Sequence, residues 1–109
     1  HPDHRAAGQA ALDAAYAAKE INLFPEQLLE GIGPWRIREA WLFWSGNPDR
    51  WEDVGGFIGR RVAALRRHAS QVGGEAKRLA SAVRARAREA AKNGHQAFEY
   101  AEAFKVLRW

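Results

Sequence analysis

The first four residues, His1-Pro2-Asp3-His4, bring two imidazoles and a carboxylate into one short stretch. A histidine that donates one ring N–H to a carboxylate is held in a single tautomer and presents its other nitrogen, an arrangement used by metal centres and acid/base sites. Pro2 confines the intervening backbone to one φ well, so both rings can project into one pocket from a loop-to-helix junction. A helix that starts here directs its unpaired N–H groups and the positive end of its dipole outward, which favours anions and developing oxyanions. The set can supply one metal ligand, one acid or oxyanion stabiliser and one orienting carboxylate. On spacing alone, the same residues also describe a solvated polar chain start.

Several elements must position these groups. The stretch from Asp3 to Glu20 is dense in Ala, the strongest helix former, and predicts a helix over about residues 4–19 with Asp3 as its N-cap. Pro25 suits a helical first turn and Gly31, Gly33 and Pro34 end it, which predicts one short helix over 25–30. Residues 36–44 (RIREAWLFW) read as a strand buried on both sides near its end, closed by the turn cluster SGNPD, with WEDV as a second extended piece. Apolar Phe57, Ile58, Val62, Ala64 and Leu65 at the three-to-four spacing of an amphipathic helix predict one over 57–68 that ends near SQVGG. Ala76, Leu79, Ala80, Val83, Ala87 and Ala90 form the stripe of a long helix, with Glu75 in its first turn, Lys92 in its last and Asn93-Gly94 as its stop. The tail YAEAFKVLRW alternates as a terminal strand, with a short helix at AEAFKVL as the alternative.

Composition limits what such a chain can be. With 109 residues and 47% hydrophobic content, it can build one modest core. Cysteine is absent, which excludes disulfides and thiolate-metal sites and points to a cytoplasmic protein. No stretch approaches the roughly 20 apolar residues of a membrane span. The chain begins at His and contains no Met, so it reads as part of a longer polypeptide. Its 17 Lys and Arg against 13 Asp and Glu help to attract an anionic partner, but the excess is small.

The segment HPDHRAAGQAALDAAY resembles the late motif of the LmbE-like, or PIG-L, zinc-dependent N-deacetylases, in which His-Pro-Asp-His and a small-residue helix close the metal site. AALRRHASQ and YAEAFKVLR resemble two further blocks of that family, in the same order. The resemblance implies that residues 1–109 are the carboxy-terminal portion of one Rossmann-like α/β domain, contributing mostly helices and a few short strands. It also implies Zn²⁺ as cofactor, with His4 as a ligand. His1 would stabilise the oxyanion or protonate the leaving amine, and Asp3 would orient His1. The substrate would be an N-acetylglucosaminyl-type conjugate, a small molecule rather than a nucleic acid. The family's early motif, similar to Ala-His-Pro-Asp-Asp, carries its other two ligands and general base, and nothing in this chain matches it. One protein ligand stands where a catalytic zinc takes three, so the chain by itself is expected to be inactive.

Other features fit structural roles. Trp41 and Trp44 read as core or core edge, and Trp35 as the one tryptophan suited to a pocket wall. His68 reads as a cap on the last carbonyls of its helix, Asp53 as a turn or helix-start residue, and Arg78, Arg84, Arg86 and Arg88 as a solvated face. Two rival classes are a small basic module for nucleic acid or another polyanion, and a noncatalytic helical interaction domain. A nucleic-acid module joins basic residues to exposed aromatics or a reading helix, and neither is evident in the pattern.

Overall fold

The computed structural model describes residues 2–72 and 76–109. The elements run in the order α1 (Pro2–Ala17), α2 (Pro25–Leu29), β1 (Glu39–Phe43), β2 (Arg50–Asp53), a 3₁₀ turn (Gly55–Phe57), α3 (Ile58–Arg66), α4 (Ala69–Val72), α5 (Ala76–Asn93) and β3 (Ala101–Arg108). The strands form one sheet in the order β1-β3-β2. This is the mixed α/β content expected from the sequence, and the tail is a strand, not a helix. The chain divides into two compact units, one of residues 2–42 with 106–109 and one of 43–105.

In the first unit, α1 begins at Pro2, two residues earlier than the Ala-rich run predicts. Proline lacks the N–H that a first-turn residue leaves unpaired and its φ is already helical, so it extends the helix backward at little cost. Asp3 therefore sits inside the first turn, where its charge complements the helix dipole, and is not the N-cap. Gly8, Leu12 and Ala15 are half-buried along one face. The second helix starts at Pro25 as expected and ends in a Schellman turn: Gly31 takes φ +80, and the Ile32 N–H donates to the Gln27 carbonyl at 2.9 Å. The Trp35 N–H donates to the Ala18 carbonyl at 2.7 Å, tying the following loop to the end of α1. The Glu39 carboxylate accepts from Trp41 Nε1 at 2.9 Å and from Arg108 Nε at 2.8 Å, fastening the chain end to β1.

β1 corrects two expectations. It covers Glu39–Phe43 rather than 36–44, and its burial alternates, with Ala40 and Leu42 sheltered and Trp41 and Phe43 exposed. Trp44 follows in the left-handed region at φ 56, which breaks the extended backbone, and it is 70% exposed. An aromatic run predicts burial only if another layer covers both faces, and local sequence does not supply that layer.

The second unit holds the core. Ile58 and Val62 of α3 pack with Val83 and Ala87 of α5, and Val54, Leu65, Leu79, Ala80 and Tyr100 enclose them. The predicted stripe on α5 accounts for this packing, with Ala91 also buried; Glu75 lies outside the described residues. β2 runs antiparallel to β3 with Arg50 opposite Phe104 and Asp53 opposite Ala101. Ion pairs Lys105–Asp49 at 2.7 Å and Arg61–Glu102 at 3.2 Å fasten β3 to the loop before β2 and to α3. Asp53 is a turn residue, as expected: its Oδ1 accepts from the Gly55 N–H at 2.8 Å. The 57–68 helix ends at Arg66, and a separate four-residue turn, α4, follows His68.

The stop of α5 also differs in detail. The left-handed residue is His95 (φ 52), not Gly94, and the Gln96 N–H closes the turn on the Ala91 carbonyl at 2.9 Å. Gly94 is required for a different reason, since a Cβ there would lie 2.5 Å from Trp51 Nε1 and 2.6 Å from two indole carbons. The rigid indole cannot fold away. Gly94→Ala is therefore expected to destabilise the protein by about 1–3 kcal/mol, the range for overpacking, read as a lowered thermal midpoint.

Candidate active site

Asp3 and His4 occupy the first turn of α1; both are exposed, and both take part in polar or electrostatic interactions. His1 lies outside the described residues. Consecutive helical positions are separated by about 100° around the axis, so Asp3 and His4 share a helix end without facing each other. Asp3 and His4 thus stand at the start of the helix, in its first turn.

The donor set matches zinc in kind, because imidazole and carboxylate are both zinc ligands. It does not match in number. Among the described residues, no three His, Asp or Glu side chains gather where they could hold a metal ion. A zinc centre built on His4 therefore needs donors beyond the described residues.

The remaining candidates fall into structural roles. The His68 N–H donates to the Leu65 carbonyl at 3.1 Å, and its own carbonyl accepts from Gln71 and Val72 at 2.9 and 3.1 Å, so its backbone joins α3 to α4. Arg88 is engaged rather than merely solvated. Its Nε and Nη2 donate to Glu99 Oε1 at 2.9 and 2.7 Å, Nη2 donates to Tyr100 Oη at 2.7 Å, and its guanidinium lies 4.9 Å from the Tyr100 ring centroid. The bond from Arg88 holds the Glu99 carboxyl below its usual range and raises the Arg88 guanidinium above its own. Both side chains are exposed, so water screens the pair and its role is orientation of the segment before β3.

Sequence reasoning placed no tryptophan in a site. Trp44 and Trp51, however, both line an open groove of about 900 Å³ in the second unit, whose far wall includes Arg86, Glu89 and Asn93 of α5. Its residues come from four separate segments, so spacing along the chain carries little trace of it. The one local sign is the repeated aromatic in LFWSGNPDRW.

The three-stranded sheet and the helices packed in the second unit define a mixed α/β fold. No family model matches the chain. A diacetylchitobiose deacetylase of Thermococcus kodakarensis is 30% identical over 71 residues, which cover 65% of this chain and 27% of that protein. The solved structure of N,N'-diacetylchitobiose deacetylase from Pyrococcus horikoshii, in complex with its inhibitor MPG, matches with a TM-score of 0.82 at 22% identity, over 99% of this chain and 40% of that one. The match thus spans well under half the length of either relative. Together the two comparisons support the resemblance to the LmbE-like N-deacetylases, with this chain similar to one portion of such a protein.

Proposed function

We propose that this chain is the carboxy-terminal part of a zinc-dependent N-deacetylase that removes acetyl from N-acetylglucosaminyl-type conjugates. The observation that carries the proposal is the fold match over 99% of the chain to a deacetylase, with Pro2, Asp3 and His4 in the first turn of its first helix. The relatives are named for a substrate built of N-acetylated amino sugars, which supports the same substrate class here.

In this proposal His4 binds the metal, Asp3 orients His1, and His1 supplies positive charge to the tetrahedral oxyanion or a proton to the leaving amine. The chemistry a zinc ion supplies in such a centre is polarisation of the amide carbonyl and a water made acidic enough to ionise near neutral pH. The position of Asp3 supports its role: it lies in the first turn, where a carboxylate complements the positive end of the helix dipole, and two residues after His1 in the sequence. The other ligands and the general base come from a polypeptide portion outside this chain.

Zinc titration tests this division of labour. The 109-residue chain alone is expected to hold zinc more weakly than micromolar, because His4 is a single ligand. The longer polypeptide of which we propose it is a part is expected to hold one zinc per chain. Sub-micromolar binding by the 109 residues alone would show that the chain has a complete site of its own.

A further inference from the structure

We propose that the groove of the second unit is a saccharide-binding subsite, with Trp44 as its stacking platform and Arg86, Glu89 and Asn93 as its hydroxyl-reading wall. The groove lies between the β1–β2 connection and α5, and its volume of about 900 Å³ is at the upper end of the range for small-ligand clefts.

Three independent features converge there. Trp44 is a bulky residue in the left-handed region, at φ 56, a backbone conformation seldom kept unless it serves a purpose. It nevertheless leaves 70% of its surface exposed, and Phe43 braces the indole edge-on at a centroid distance of 5.4 Å and an interplanar angle of 72°. On the far wall, Arg86, Glu89 and Asn93 follow at i, i+3 and i+7, so one helix face presents all three. Among the described residues, none of these side chains has a hydrogen bond or ion pair. The result is a planar guanidinium, a carboxylate and a carboxamide unspent beside an exposed aromatic face.

This pairing fits a pyranose. The C–H face of the sugar lies on an indole, and its vicinal hydroxyls match planar groups that can donate or accept two bonds side by side. The groove's own charges argue against a polyanion, since Glu89 and Glu102 also line it and Glu102 already neutralises Arg61 at 3.2 Å. A lipid or apolar peptide would leave the polar wall unsatisfied. The preference for N-acetylglucosamine oligomers among sugars rests on the deacetylase proposal; binding in the groove uses none of His1, Asp3 or His4.

The test is titration of the 109-residue chain with N,N'-diacetylchitobiose and longer N-acetylglucosamine oligomers, followed by tryptophan fluorescence and calorimetry. Saturable binding is expected, weakened about tenfold or more by Trp44→Ala, retained in part by Trp44→Phe, and unaffected by Trp35→Ala in the other unit. An Arg86→Ala/Asn93→Ala double variant, exposed and on the helix surface, gives the same answer if Trp44→Ala fails to fold. No saturable binding at millimolar sugar, or binding that neither variant weakens, overturns the proposal, as does preference for DNA over sugar at the same residues. Sugar binding without acetate release by the longer polypeptide upholds the groove and removes the deacetylase proposal. Acetate release with KM and kcat unchanged by the groove variants does the reverse.

Discussion

On the proposed roles, replacing His4 with alanine in the longer polypeptide of which we propose this chain is a part is expected to remove both bound zinc and activity, whereas replacing His1 is expected to leave zinc in place and lower kcat. The contrast follows from the two proposed roles. Loss of a protein ligand takes a three-ligand centre below the number that retains a catalytic metal, so activity falls by on the order of 10³-fold or more. Loss of a group that stabilises the oxyanion costs about 10²–10³-fold in kcat with the metal still bound. Asp3→Asn tests the third member, since an orienting carboxylate acts through the imidazole it faces. Metal analysis beside steady-state kinetics separates the three. Equal metal loss in the His1 and His4 variants would contradict the assignment, as would full activity in His4→Ala.

The second large effect concerns the core. Ala87→Asp is expected to abolish cooperative unfolding of the second unit. Ala87 is 2% exposed and packed with Ile58, Val62 and Val83, none of which can pair with a carboxylate. An unpaired buried charge costs several kcal/mol, and the added volume forces the helices apart as well. That is a large part of the roughly 5–15 kcal/mol by which a domain is stable. Ala85→Asp, two residues earlier on the exposed face of the same helix, is expected to stay within about 1 kcal/mol of the parent. Circular dichroism melts of the two variants make the comparison, and similar melts would contradict the packing described.

The helices of the second unit were legible because their apolar residues repeat at the helical period and their partners lie on the same two elements. Ile58, Val62, Val83 and Ala87 were all on the predicted stripes, and all are buried. The terminal strand was legible from its alternation. The exposure of Phe43 and Trp44 was not, because burial of an aromatic run depends on a layer contributed from elsewhere. The start of α1 was misplaced by two residues because Ala density locates a helix interior and says little about its end, whereas Pro2 sets the end. The role of Gly94 was hidden for a similar reason: its constraint comes from Trp51 on another element. The candidate site was legible only in part. Residue types gave two imidazoles and a carboxylate, but their roles come from the resemblance, and the donors that would complete the centre are not among the described residues. The groove was not legible at all, since Trp44, Trp51 and Arg86 meet only through the fold.

Acetate release from N,N'-diacetylchitobiose by the longer polypeptide, measured before and after chelation and again after zinc is restored, tests the central proposal most directly. The account predicts release that stops on chelation, returns with zinc and is absent from the 109-residue chain alone. Folded polypeptide that releases no acetate from this or other N-acetylglucosaminyl conjugates, or release that chelation leaves unchanged, would contradict it.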